Sequence, residues 1–237
     1  TSMITNRLTY RTATLDDIDF LVDTIIEAEK SGTNILTYST IFGISEQETR
    51  VCLREMLAQE VHGCELSISS FYVAETENKS IAGAVAAWIE GANGTPSAVL
   101  KGNLLNYVLP KDALKRALPL NNMVREMHIE YKPNTIQIGL VYISPSHRGE
   151  SLASLLIDDQ INNMLKNEGN IEEAFVQVFG NTHSAIHAYE KVNFRKVSVK
   201  ESSIGNILEY MPSNTKILMR RELKTLHGEG NGKNNNF

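Results

Sequence analysis

Residues 136–165 switch from a period of two to a period near four across a short polar turn, and that switch constrains the fold more than any other feature. "IQIGLVYI" at 136–143 alternates as a strand does. From Glu150 to Lys166 apolar side chains recur at Leu152, Leu155, Leu156, Met164 and Leu165, the spacing of a helix that buries one side. Between the two lies "SPSHRG", so Arg148 and Gly149 stand where a strand hands over to a helix. Small residues there let several main-chain N–H groups point at one anion, and the positive helix end adds to the attraction. The Arg148 guanidinium supplies a fork for a pair of phosphate oxygens, so the natural guest is a pyrophosphate. Taken alone, Arg148 to Ala153 reads more simply as a loop with a solvated arginine.

The rest of the chain alternates in the same way. Leu8 to Ala13 reads as a strand, and Thr14 with Asp17 approximates a capping box for a helix carrying Ile18, Leu21, Val22, Ile25 and Ile26. Ser45 and Glu48 fit the same box for a second helix, with Gly63 as its left-handed stop. Two strand-like runs, 67–75 and 81–90, flank the polar turn "TENKS" and predict a hairpin. The pattern then breaks: Gly91 to Thr135 reads as a helical insertion, with a helix at 97–109 and a shorter one between Pro110 and Pro119. Beyond the helix that ends near Gly169, "AFVQVF", "FRKVSV" and "KILMRREL" predict strands, with "THSAIHAYEKV" a helix between the first two. The tail 225–237 has the composition of a disordered segment, leaving 4–224 as one domain.

Bulk composition narrows the classes. A net charge of −5 argues against a duplex-binding protein, so nucleic acid is not expected as a partner. The longest apolar run, Ile81 to Ile89, is far short of the roughly 20 residues that span a bilayer, so no membrane is expected either. Cys52 and Cys64 lack metal spacing, and no secretory leader is evident, which makes a cytoplasmic, reducing location the default expectation.

A second pattern lies some thirty residues past the turn: Asn181, Ala185, then Tyr189-Glu190-Lys191-x-Asn193-Phe194. Together the two segments resemble the signatures of the GNAT superfamily, the acyl-CoA-dependent N-acyltransferases. The turn is similar to that family's Arg/Gln-x-x-Gly-x-Gly/Ala loop, and the second segment to its helix ending in Tyr-Glu-Lys-x-Gly-Phe. The close resemblance covers 136–200 and extends by element order to the flanking segments. It implies an α/β fold with a mixed, mostly antiparallel central sheet of about seven strands flanked by helices, the helical insertion preceding the fourth strand.

The resemblance also implies roles. Amides of Arg148, Gly149, Glu150, Ser151, Leu152 and Ala153 would bind the coenzyme A pyrophosphate, and the main chain of Leu140, Val141, Tyr142 and Ile143 would run along the pantetheine arm. Asn181 would contact that arm, and Tyr189 would face the thioester sulfur of acetyl-CoA or another short-chain acyl-CoA. The acceptor would be a small-molecule primary amine: an amino sugar, nucleotide-linked or not, a polyamine or an antibiotic. A homodimer is the common assembly of such proteins. Two positions depart from the pattern: Ser151 stands where the first core glycine belongs, and Asn193 where glycine precedes Phe194.

The chemistry asks for an acid, a base and an oxyanion site. A phenol of ordinary pKa about 10 is protonated at neutral pH, so Tyr189 suits the acid. For the base, Glu90 at the end of the third strand and Glu126, His128 and Glu130 before the fourth are in plausible regions, Glu90 and His128 foremost. His183 and His187 share a helix face with no third ligand, and acyl transfer needs no metal. A non-catalytic acyl-CoA-binding or protein-docking module, a peptide N-acetyltransferase and a purely structural domain remain as alternatives.

Overall fold

The computed structural model describes residues 7–149 and 151–224; Glu150 and the tail 225–237 assigned to disorder lie outside the described residues. Seven strands form one sheet: β1 (Thr9–Thr12), β2 (Phe71–Glu75), β3 (Ile81–Ile89), β4 (Ile136–Ile143), β5 (Glu173–Phe179), β6 (Arg195–Glu201) and β7 (Thr215–Glu222). Their order is β1-β2-β3-β4-β5-β7-β6, and every neighbouring pair is antiparallel except β4 with β5. This is the mixed, mostly antiparallel sheet that the resemblance implies.

The period of two decides which helices cover which face. On β2 and β3, Tyr72, Val85 and Ala87 face α7 (Leu152–Asn167) and α8 (His183–Lys191), joining one core with Leu156, Ile161 and Phe194. Phe71, Val73, Ala84 and Ala86 point the other way, onto α1 (Ile18–Lys30) and α3 (Glu46–Ala58). Being covered on both sides, β2 and β3 read as unbroken apolar runs.

Both expected caps exist in some form. The Glu48 amide donates to Ser45 Oγ at 3.0 Å and the Ser45 amide to Glu48 Oε1 at 3.4 Å, closing the box at the start of α3. At Thr14 the amide donates to Asp17 Oδ2 at 2.8 Å, but a short 3-10 turn precedes α1. Gly63 does not stop α3: the helix ends at Ala58, and Glu60 takes the nearest left-handed backbone, so Gly63 only bends the loop beyond. The strand expected from Ser67 starts at Phe71, after a 3-10 turn over Ile68–Ser70.

A helix absent from the sequence reading, α2 (Thr37–Phe42), follows α1. Segment 91–135 holds α4 (Ser97–Val108), α5 (Lys111–Ala117) and a further unanticipated helix, α6 (Asn121–Met127). Ile41 of α2, Ala117, Met123 and Met127 of this segment, and Ile207 and Met211 of the β6–β7 connection form a separate apolar cluster. Helices α2, α5 and α6 have seven residues or fewer, too short to hold without tertiary packing. Among the described residues no helix is long and apolar enough to cross a membrane.

Candidate active site

The sheet opens between β4 and β5. Their parallel pairing runs only from Ile136–Ala174 to Ile138–Val176, although each strand continues for several residues against its other neighbour. Opposite β3 the register slips at this point: Ala87 pairs Ile138 and Ala86 pairs Leu140, leaving Gly139 as a bulge. Such a bulge bends its strand and here directs the rest of β4 away from β5. Glycine is required at 139, since a Cβ there would lie 2.8 Å from Trp88 Cζ3. Beyond it, the β5 side of β4 presents main-chain N–H and C=O groups without a strand partner.

The opening is one cleft with two chambers that share Val141, Thr182 and Ala185. The outer chamber, about 480 Å³, is bounded by Val141 to Ile143, the turn after β4 and the facing side of α8. In that turn Gly149 (φ 83°) and Ser151 (φ 59°) take left-handed backbone, an arrangement that gathers successive amides around a concavity. At the start of α7 the Leu155 amide donates to the Ser151 carbonyl at 3.2 Å, and the first amides of a helix have no partner within it. Arg148 Nε donates to the Ile143 carbonyl at 3.1 Å, with the guanidinium 5.6 Å from the Tyr142 ring centre, and Lys191 Nζ donates to Ser151 Oγ at 3.1 Å. Two cations and a set of amides therefore converge on the chamber wall.

Ser151 thus adopts the backbone a glycine would adopt most easily, at a cost of about 1–2 kcal/mol for an L-residue. Asn193 does the same at φ 72°, ending α8 while the Phe194 amide donates to the Tyr189 carbonyl at 3.1 Å. That is the left-handed helix stop expected of it.

The inner chamber, about 260 Å³, is built from distant elements. Tyr189 reaches it from α8, its ring only 2% exposed and edge-on to Phe194 at 5.5 Å. Burial pushes the phenol above its ordinary value, keeping it protonated at neutral pH. Its hydroxyl makes no hydrogen bond among the described residues and is not one of the fully enclosed unpaired atoms. Four charged side chains share the same wall: Glu29 from α1, Glu65 from the loop before β2, Lys101 from α4 and Lys216 from β7. Lys101 Nζ donates to Glu65 Oε1 at 2.7 Å and lies 5.4 Å from the Tyr38 ring centre. Tyr131, from the segment before β4, completes this side.

Glu29 and Lys216 have no hydrogen bond or ion pair among the described residues. Burial raises the Glu29 carboxyl above the usual carboxylate range; Lys101 and Lys216 oppose that, while Glu65 adds to it. Burial pushes the Lys216 ammonium down to about 8, against the pull of Glu29 and with the repulsion of Lys101. Its Nζ stands 5.6 Å from the Phe179 ring centre.

Several residues anticipated for the site lie elsewhere. Glu90 is 2% exposed and committed: it accepts from the Trp88 indole at 2.8 Å and from the Ser97 amide at 3.0 Å. The position before α4 is Pro96, whose side chain cannot cap, so Glu90 caps that helix from outside and does not line the chamber. His128 is exposed, edge-on to Tyr131 at 6.1 Å; the tyrosine lines the chamber and the histidine does not. Glu126 accepts from the amide and hydroxyl of Ser203, at 2.8 and 2.9 Å, tying α6 to the β6–β7 connection. Glu130 is exposed.

Asn181 lines neither chamber: its Nδ2 donates to the Ser31 carbonyl at 3.1 Å and its Oδ1 accepts from Ser31 Oγ at 3.2 Å. It fastens the end of α1, where Ser31 has left-handed backbone, to the start of α8. Leu140 and Val141 line the inner chamber; Val141, Tyr142, Ile143, Arg148, Gly149, Ser151, Leu152 and Ala153 line the outer one. Glu29 was missed although its signal was present: it stands four residues after Ile25 and three after Ile26, on the stripe that α1 buries.

The chain therefore has a sheet parted at the carboxyl ends of its parallel pair, with an amide-rich turn opening the helix on one side, the layout that the GNAT resemblance implies. It belongs to the acetyltransferase (GNAT) family, whose model matches residues 43–194, more than half of the sequence. Over 104 residues it is 27% identical to an N-alpha-acetyltransferase of Saccharolobus solfataricus. That match covers 43% of this chain and 56% of the relative, so the chain spans about half the length of the curated relative it matches. An N-acetyltransferase from Staphylococcus aureus Mu50 shares the fold at TM-score 0.62 and 13% identity, over 90% of this chain and 99% of that one. Arylalkylamine N-acetyltransferase 2 from Aedes aegypti does so at TM-score 0.56 and 12% identity, over 92% and 100%.

Proposed function

We propose that this protein transfers an acetyl or other short acyl group from coenzyme A to the primary amine of a small acceptor. One observation carries the reading: a single cleft joins the amide turn at Arg148–Ala153 to a chamber in which Tyr189 and Glu29 both stand. The residues present fit the coenzyme. Turn amides with Arg148 and Lys191 suit a diphosphate, and the edge of β4 beyond Gly139, which lacks a strand partner on the β5 side and whose Ile143 carbonyl accepts from Arg148, suits the amide groups of a pantetheine arm in the manner of strand addition.

Bound acyl-CoA supplies an activated acyl carbon and a thiol leaving group. Glu29, held basic by burial, takes a proton from the acceptor's ammonium and leaves a nucleophilic amine. The unpaired N–H groups of β4 beyond Gly139 are placed to hold the oxygen that becomes negative as the C–N bond forms. Tyr189 donates a proton to the sulfur as the C–S bond breaks. Of the two protons the ammonium gives up, one is thus balanced on the thiol and the other passes to solvent. The segment 91–135, through Lys101 and Tyr131, shapes the acceptor side.

The matching N-alpha-acetyltransferase favours a second reading, in which the amine is a peptide N-terminus. Free-thiol release from acetyl-CoA, followed against small amines and short peptides, separates the readings. Turnover with small amines is expected. Calorimetric binding of coenzyme A without thiol release from any acceptor would leave a non-catalytic acyl-CoA module, and no binding at all would remove the coenzyme site.

A further inference from the structure

The inner chamber holds four charged groups, and two of them neutralise each other. Lys101 and Glu65 form an ion pair at 2.7 Å, and Tyr38 stacks under that ammonium, so neither has charge to spare for a ligand. Glu29 and Lys216 are left. They come from separate elements, the last turn of α1 and the first residues of β7, and neither side chain has an ion-pairing or hydrogen-bonding partner among the described residues.

A carboxylate and an ammonium facing one small chamber cost desolvation energy unless a ligand supplies the opposite charges. Lys216 stands opposite Phe179 on the neighbouring strand, its Nζ 5.6 Å from that ring centre, and both side chains line the chamber. The depressed ammonium and the raised Glu29 carboxyl are what two such groups show when they await partners. A polyamine would satisfy Glu29 and meet a repelling cation at Lys216. A neutral-bodied amino sugar would leave Lys216 unpaired. A volume of about 260 Å³, below the usual range for drug-sized ligands, favours a small acceptor in this chamber.

We infer that the acceptor is a small amine that also carries an oxyanion, an amino acid in the broad sense, with its ammonium at Glu29 and its carboxylate or equivalent group at Lys216. This rests on the acyl-transfer reading above and narrows its substrate class. Lys216 is then a specificity residue: it acts on how tightly the acceptor is held and takes no part in the bond changes.

The test uses matched acceptors that differ only in the anion: L-tyrosine with tyramine, L-leucine with isoamylamine, β-alanine with ethylamine, and O-phosphoethanolamine with ethanolamine. Thiol release from acetyl-CoA is measured for each, with wild type, Lys216→Met and Lys216→Arg. In at least one pair the anionic member is expected to have a kcat/KM tenfold or more above its partner, carried by KM. Lys216→Met should erase that difference and Lys216→Arg should restore most of it. If amines without an anion are the better acceptors, acyl transfer stands and this inference falls. If Lys216→Met lowers both members of a pair equally, Lys216 does not read the anion and the inference falls. If no amine in the set releases thiol, the small-acceptor reading itself fails and this one with it. Should Lys216→Met not fold, judged by loss of its coenzyme A thermal shift, the wild-type pairs alone decide.

Discussion

The two chambers of the cleft are made in opposite ways. The outer one is nearly contiguous in sequence: the end of β4, a turn of a few residues and the first turn of α7, with α8 as its far wall. Its donors are mostly main-chain amides, whose direction follows once the backbone takes left-handed values at Gly149 and Ser151. The inner chamber draws Glu29, Glu65, Lys101, Tyr131, Tyr189 and Lys216 from separate elements, and side chains do the work. On the proposed reading, the site for a constant cosubstrate is built into a local motif, whereas the site for a particular acceptor is assembled by packing and can change without disturbing the first.

The comparison breaks most readily at the inner end. Glu29→Gln and Tyr189→Phe should each lower kcat/KM by about 10²-fold, the scale of a lost general base or acid, while calorimetric affinity for coenzyme A stays within about twofold. The two differ in pH dependence. Wild-type activity carried by the Glu29 carboxylate is present above its raised pKa and fades as pH falls through it, and Glu29→Gln should lack that acid limb. Equal loss of coenzyme affinity in either variant would show that the chambers do not act separately.

Gly139→Ala tests the hinge between them. A methyl 2.8 Å from the Trp88 ring overpacks the junction, with an expected cost of about 1–3 kcal/mol and a melting temperature lower by roughly 2–10 °C. Unchanged stability would mean that the bulge does not depend on glycine. The smallest effect is expected in the outer chamber. Ser151→Gly relieves a left-handed serine and should raise stability by about 0.5–1 kcal/mol, read as a melting temperature higher by roughly 1–4 °C. It should leave coenzyme binding no weaker, although Lys191 loses its hydroxyl partner. A clear loss of affinity would instead make the Ser151–Lys191 contact part of the diphosphate site.

By itself the sequence determined the sheet, the turn and the tyrosine helix. The unbroken apolar runs of β2 and β3, the period of two on β4 and the stripe on α7 state what is buried, and left-handed backbone falls at Ser151, which opens α7, and at Asn193, which ends α8, the two positions where the resemblance places glycine. Only the tertiary structure decided which carboxylates line the inner chamber. Glu90 sits at a strand end that looked suitable, yet Pro96 left a helix start uncapped and drew it away. Glu29 continued the buried stripe of α1, but one charged residue on an apolar face has no meaning until Lys101 and Lys216 arrive from α4 and β7. Local patterns encode backbone direction because sterics and hydrogen bonding act between near neighbours; the meeting of charges from remote elements follows from packing, which no local window contains.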